Sequence, residues 1–427
     1  MRVMRDGFQK LLGTADLLPE ESARWTHAEA IVRATMRRFG FGEIRTPIME
    51  PTGLFEKGTG ASTDIVQKEM YTFTDRGDRS ITLRPEGTPS AVRAYLEASL
   101  GAQRPVWKLF YSGPMFRAER PQKGRLRQFH QYGAELVGSA LPAADVEIIT
   151  LAEATLRDLG VGEFSLILNS IGDADARNAH NAALRDYLGR DDVRTKLCDD
   201  CIRRAATNPL RIFDCKKESC LRLIARAPTI DGYLTDDDRS HFDTVRSSLK
   251  SLGIPYEIDV RMVRGLDYYT RTTFEIKSSR LGAQDSLLGG GRYDRLVELY
   301  DGPPTPAVGF AAGWERILDV REMAGAPPNA SPPLDVFVCT LGEQAQTRAA
   351  HILAAIRTLG FSADRDFLGR GLKAQMKDAD RSGARYVLIV GDDEIARGRF
   401  TLRRMDTSEQ TDIDADHTKW TQGTFAV

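Results

Sequence analysis

The sequence predicts an α+β domain that is interrupted by a helical insertion and followed by a small α/β domain. Three observations carry this. Strand-like runs bracket a strongly basic loop in the first part of the chain. A polar, helical texture rich in Arg and Asp begins near Asp173 and ends near Gly253. After a stretch rich in Pro, Ala and Gly, strands and helices then alternate as βαβαβ. At 427 residues the chain is also too long for one ordinary core. The expected division is 1–172 and 255–325 for the interrupted domain, 173–254 for the insertion, 326–333 for a linker and 334–427 for the last domain.

The elements follow in order. Pro19 suits a first helical turn, with acidic residues behind it, and helical spacing runs from Ala23 to Phe39 until Gly40 and Gly42 stop it. Glu43 to Met49 alternates like a strand, and Pro47 places its end near a sheet edge or an interface. Glu69 to Phe73 and Ser80 to Arg84 read as strands joined by a turn. A helix follows over Pro89 to Leu100. Val106 to Tyr111 and Gly133 to Val137 flank the basic loop, before a helix at Asp145 to Leu159 and a strand at Glu163 to Asn169. Beyond the insertion come strands at Tyr256 to Val260 and Thr272 to Lys277. Gly289 to Asp294 reads as a turn opening a helix, and Gly309 to Leu318 as a strand-to-helix junction. In the last domain, strands at Asp335 to Thr340, Phe361 to Asp364 and Tyr386 to Val390 alternate with helices at Gln344 to Leu359 and Leu372 to Ser382.

Composition narrows the class. Hydrophobic and charged fractions of 41% and 28% are those of a soluble globular protein. A net charge of -1 excludes a uniformly basic coat, but a local patch is enough to steer a polyanion. Met1 to Lys10 has no signal-peptide pattern and no run is long enough to span a bilayer, so a cytoplasmic protein without membrane contact is expected.

The chemistry concentrates in a few motifs. Phe116 to Gln131 packs Arg117, Arg120, Lys123, Arg125 and Arg127 around a P-Q-K-G turn, with Glu119 among them and Phe129 just after. Guanidinium forks grip phosphate, and an aromatic ring with an arginine plane can sandwich a base. The set reads as a nucleotide site, against the alternative of a solvated charged hairpin. In Arg84-Pro-Glu-Gly-Thr, Glu86 and Thr88 follow a strand end; a carboxylate there could hold an ammonium or an imidazole N–H, or Thr88 could simply cap a helix. Arg264-Gly-Leu-Asp-Tyr-Tyr offers a cation beside Tyr268 and Tyr269, or a strand-edge turn with core tyrosines. Ala307 to Arg316 would let a helix pack closely on a sheet and project Arg316.

Together these motifs resemble those of the histidyl-tRNA synthetases, within the class II aminoacyl-tRNA synthetases. Phe41 to Met49 looks like the class II dimer-interface motif. Phe116 to Glu119 with Arg125 to Phe129 looks like the second class motif, and Gly309 to Arg316 like the third. R-G-L-D-Y-Y at 264–269 and G-G-G-R-Y-D at 289–294 resemble the two histidine signatures. G-R-x-L-K at 369–373 resembles part of the anticodon-binding domain. Pro89 and Trp314 stand where the family pattern usually has smaller residues.

The resemblance implies an antiparallel catalytic sheet, a homodimer, and L-histidine, ATP with Mg²⁺, and tRNA(His) as partners. By that resemblance Glu86 and Thr88 hold the amino group, Gln131 and Glu135 complete the amino-acid pocket, and Tyr268 and Tyr269 lie near the imidazole. Arg117 and Arg264 flank the α-phosphate, Arg125 and Arg316 take the distal phosphates, and Phe129 stacks on adenine. Arg120 and Gln122 would lie near the tRNA acceptor end and read an extra 5′ guanosine. Two other readings share parts of the pattern: a synthetase-like regulatory subunit of ATP phosphoribosyltransferase, and an amide-forming ligase. Cys198-x2-Cys201 and Cys215-x4-Cys220 are either a structural zinc knot or reduced packing thiols, and Cys339 reads as a core residue of its strand.

Overall fold

The computed structural model describes residues 8–60, 63–122, 124–325 and 333–425. Lys123 of the basic loop and residues 326–332 of the expected linker lie outside them. The chain divides into two compact units; residues 25–325 belong to the first and 333–425 to the second.

Among the described residues, the first unit is built on an eight-stranded sheet. Its spatial order is Gly42–Glu43, Trp107–Phe116, Gln128–Val137, Ala307–Gly313, Ser286–Arg292, Thr270–Lys277, Ser165–Ser170 and Glu257–Ile258. Only the two outermost pairings are parallel. Period-2 alternation sorts the side chains. Tyr132, Ala134 and Leu136 of one central strand join Val308, Phe310 and Ala312 of its neighbour in the main core. The helices Pro19–Arg38, Pro142–Asp158 and Asp236–Ser251 bring Trp25, Val32, Ile148, Leu156, Phe242 and Val245 onto that face. Each large side chain buried there is worth roughly 1.5–3 kcal/mol, so a one-residue slip in register would forfeit several at once. The opposite parity is left for the site.

Two expectations change. Gly289 to Arg292 is not a turn opening a helix but the end of the central strand Ser286–Arg292, hydrogen-bonded on both sides. Glycine there reflects close approach: a Cβ on Gly290 would come within 2.3 Å of the Gly309 carbonyl oxygen. Glu43 to Met49 is not one strand. Gly42–Glu43 joins the large sheet, Met49–Pro51 joins a separate three-stranded sheet, and between them the chain bends at Ile48, just after Pro47, which has no N–H to donate.

Within the expected insertion, Leu184, Leu188, Val193, Leu197, Ile212 and Ile224 gather with Cys201, Cys215 and Cys220 in a small core of their own. The helix Asp236–Ser251 instead buries Phe242, Val245 and Leu249 in the main core.

The second unit holds a five-stranded sheet with Val336–Leu341 parallel to both Ala363–Arg365 and Tyr386–Gly391. The expected βαβαβ order is present, Cys339 is buried in its strand, and a further antiparallel hairpin, Arg399–Arg404 with Gln410–Asp414, extends the sheet. No helix among the described residues is long and apolar enough to cross a membrane.

Candidate active site

Strand parity decides which groups meet. Opposite Tyr132, Ala134 and Leu136, the strand Gln128–Val137 turns Phe129, Gln131 and Glu135 to its other face. Gly309 lies opposite Glu135 in register, and a Cβ on it would come within 1.7 Å of Glu135 Oε2. Glycine at 309 therefore leaves the space that the carboxylate occupies.

That carboxylate is fully buried. It accepts hydrogen bonds from the hydroxyls of Thr88 at 2.7 Å, Tyr111 at 3.2 Å and Tyr293 at 2.5 Å. Burial pushes its pKa up to about 7, with the three hydroxyls pulling the other way. Glu86 is held similarly, by Thr59 Oγ1 at 2.6 Å and Tyr268 OH at 2.9 Å. Burial again raises its pKa, against the hydroxyls and the nearby charge of Arg117. The rings of Tyr268 and Tyr269 pack at 4.8 Å, and Tyr293 meets Tyr268 edge-on at 5.6 Å. Thr88 is the first residue of the helix Thr88–Glu97, whose N-cap is Gly87; its hydroxyl makes no capping bond and goes to Glu135 instead. Gln131 Oε1 is buried without a hydrogen-bond partner among the described residues.

The other end of the cleft is cationic. Arg264 Nη1 donates to Glu275 Oε1 at 2.9 Å, and Glu275 pairs in register with Gly289. A Cβ on Gly289 would come within 1.9 Å of Arg264 Nη2, so the guanidinium lies across bare backbone. Burial opposes charge on both partners, but the pairing wins. Glu275 is held below the ordinary carboxylate range and Arg264 above its usual value.

Arg117 Nε donates to Pro85 O at 3.0 Å, one residue from Glu86, and its guanidinium carbon lies 5.2 Å from the Phe129 ring centre. Arg316 donates to the carbonyls of Gly124 and Ser286, both at 3.0 Å, and Arg125 pairs with Glu119 at 2.8 Å. Burial, then the charge of Arg125, lowers the pKa of Arg316. Like charges held this close favour an anionic ligand.

One cleft thus brings together Glu86, Thr88, Arg117, Arg125, Phe129, Gln131, Arg264, Tyr268, Tyr269 and Arg316, with Glu135 beneath it. Arg120 and Gln122 line a neighbouring, more open depression with Lys68, Glu69 and Arg125. Sequence reading missed Tyr111, Glu275 and Tyr293 as partners. Tyr293 lies within the G-G-G-R-Y-D signature; nothing local marks the other two.

A mainly antiparallel sheet bearing arginines beside buried carboxylates, ahead of a separate α/β unit, defines a class II aminoacyl-tRNA synthetase. The family model described as histidyl-tRNA synthetase matches residues 13–317, and that of an anticodon binding domain matches residues 335–419. The histidine–tRNA ligase of Geobacillus kaustophilus is 48% identical over 410 residues, covering 95% of this chain and 96% of that relative. The apo histidyl-tRNA synthetase of S. aureus superposes with a TM-score of 0.82 at 37% identity, covering 99% of this chain and 100% of that one. A Bacillus halodurans protein described as an ATP phosphoribosyltransferase regulatory subunit/histidyl-tRNA synthetase shares the fold, at 22% identity and a TM-score of 0.64 over 90% of this chain and 98% of that one. The chain belongs to the histidyl-tRNA synthetase family.

Proposed function

We propose that the acid end of this cleft binds L-histidine and the cation end binds ATP, supplied as its Mg²⁺ complex. The observation that carries the assignment is the meeting of Glu86 and Glu135, buried and bonded to neutral hydroxyls, with Arg117 and Arg264 in one cleft. As a histidine–tRNA ligase the chain works in two steps. A carboxylate oxygen of histidine attacks the α-phosphorus of ATP, forming histidyl-adenylate and releasing pyrophosphate. A ribose hydroxyl at the 3′ end of tRNA(His) then attacks the carbonyl carbon, and AMP leaves.

Each residue has a role in this reading. Glu86, Thr88 and the unpartnered Gln131 oxygen take the α-ammonium. Glu135, tuned by Tyr293 and Tyr111, receives an imidazole N–H, with Tyr268 and Tyr269 walling the ring. Such a site disfavours analogues that leave its buried groups unpaired. Arg117 and Arg264 grip the α-phosphate from two sides and compensate charge as the new bond forms, so positioning replaces a covalent enzyme intermediate. Arg125 and Arg316 hold the β- and γ-phosphates, and adenine stacks on Phe129. Arg120 and Gln122 meet the acceptor end, where they read the extra 5′ guanosine; equal charging of tRNA with and without that base would overturn this part. Residues 334–427 bind the anticodon, 173–254 form an insertion, and the chain acts as a cytoplasmic homodimer through the region around Pro47.

ATP–pyrophosphate exchange run with each amino acid tests the reading. Exchange with histidine alone, without tRNA, is the expected result. Exchange with no amino acid would favour a histidine-binding regulatory subunit, and exchange with a different amino acid would overturn the pocket assignment.

A further inference from the structure

We propose that Cys198, Cys201, Cys215 and Cys220 hold one structural Zn²⁺ in the insertion. Their sulfur atoms all lie within 4.8 Å of one another. Zinc–thiolate bonds of about 2.3 Å place the corners of a tetrahedron about 3.8 Å apart, so the four sulfurs need close by no more than about 1 Å. Cys198 Sγ and Cys215 Sγ already stand 4.0 Å apart. This cage has room for one ion and not for an iron–sulfur cluster, whose own sulfides would push the thiolates further out. Four soft thiolates select zinc over the hard cations.

The backbone supplies a second, independent observation. Amide N–H groups point at the sulfurs: Cys198 N–H at Cys220 Sγ (3.3 Å), Cys201 N–H at Cys198 Sγ and Lys217 N–H at Cys215 Sγ. A neutral thiol is a poor acceptor, whereas a metal-bound thiolate is a good one. Three of these cysteines are buried, and all four are unbridged. The cage sits in the small core around Leu197, Ile212 and Ile224, a core of the size that commonly needs a staple. Loading four neutral thiols would release four protons and leave a centre of net charge −2.

The staple bears on the reaction only through structure. Cys215 directly follows the turn Pro209–Asp214. From that turn Arg211 donates to the Gly265 carbonyl, and from the residue just before it Asn208 Nδ2 donates to Asp267 Oδ1 at 3.1 Å. Both contacts brace the loop that carries Arg264. Zinc would fix that brace; no cysteine touches substrate.

Metal analysis of the full-length chain, purified under reducing conditions without chelator, tests the proposal. One zinc per chain is expected, and cobalt exchanged into its place should show the visible bands and sulfur-to-metal charge transfer of tetrahedral thiolate. Cys201→Ser and Cys215→Ser should each lower bound zinc below about a tenth of that, while Cys339→Ser leaves it unchanged. Should those variants fail to fold, titrating the wild-type chain with a mercurial decides the matter, one zinc being released as four thiols react. Wild-type protein without zinc and without the cobalt spectrum, or zinc that survives modification of all four thiols, overturns the site. Iron bound instead overturns the choice of metal.

Discussion

At the acid end of the cleft, Glu86 and Glu135 are held by neutral hydroxyls from Thr59, Thr88, Tyr111, Tyr268 and Tyr293. At the cation end, Arg117 and Arg316 are held by backbone carbonyls and Arg264 by Glu275. The difference is in how charge is managed. The acids are desolvated and lack a bonded cation, so ionising them is costly until a positive ligand arrives. The arginines keep their charge, and their partners fix where it points. The acid end is therefore suited to selecting, and to responding to pH near neutrality, while the cation end is suited to rate and should be indifferent to pH there.

The largest expected effect falls on rate. Arg264→Ala should lower kcat for histidine-dependent pyrophosphate exchange by roughly 10²–10³-fold, the usual loss when one preorganised donor to a developing charge is removed. The KM for histidine should change little. A large rise in KM at unchanged kcat would mean that Arg264 serves binding and not the transition state. Gly289→Ala should reproduce part of the loss without touching any charge, because the new methyl group would displace the Arg264 guanidinium. Normal kinetics in that variant would show that the guanidinium position seen here is not the working one.

The acid end should respond in KM. Glu86→Gln removes the charge opposite the ammonium, and the KM for histidine should rise roughly thirtyfold or more, as when one partner of a buried charged pair is lost. Glu135 adds a pH dependence with a definite sign. Its folded pKa of about 7 lies above the ordinary 4.5. Its contribution to stability is therefore full below 4.5 and is lost as pH rises through about 7. Its capacity to accept an N–H as an anion runs the other way. The KM for histidine should rise as pH falls, approaching about tenfold per unit below 7, and Glu135→Gln should flatten that part of the profile. A profile identical in both proteins would place the titration on the substrate.

Much of this was legible because it is local. The basic loop, R-P-E-G-T and R-G-L-D-Y-Y announce themselves by composition, and each contributes to the cleft. What joins them is register, which one sequence does not display. Glu275 meets Arg264 across Gly289, and Tyr293 meets Glu135 from just beyond the end of another strand. The glycine run read as a turn because glycine is common in turns. In the sheet it is needed where a guanidinium or a neighbouring backbone comes too near for a side chain. The hairpin Arg399–Arg404 and Gln410–Asp414 escaped notice because its outer strand is polar and largely exposed, so alternation is faint. Thr88 has the position of a cap, but Gly87 is the N-cap and the Thr88 hydroxyl turns to Glu135, a partner that only the packing of the sheet reveals.

The smallest effect tests whether the two ends act separately. Phe129 lies on the same strand face as Gln131 and Glu135, its ring faces the Arg117 guanidinium, and it makes no hydrogen bond to either carboxylate. Base stacking on an aromatic ring is worth about 1–3 kcal/mol. Phe129→Leu keeps an apolar surface but loses the planar face, so the KM for ATP should rise roughly tenfold or somewhat less. The KM for histidine and the pH profile should stay as in the wild type, because no hydroxyl that tunes Glu86 or Glu135 comes from this residue. If both substrates bind more weakly in parallel, the strand face acts as one unit and the separation of the ends does not hold.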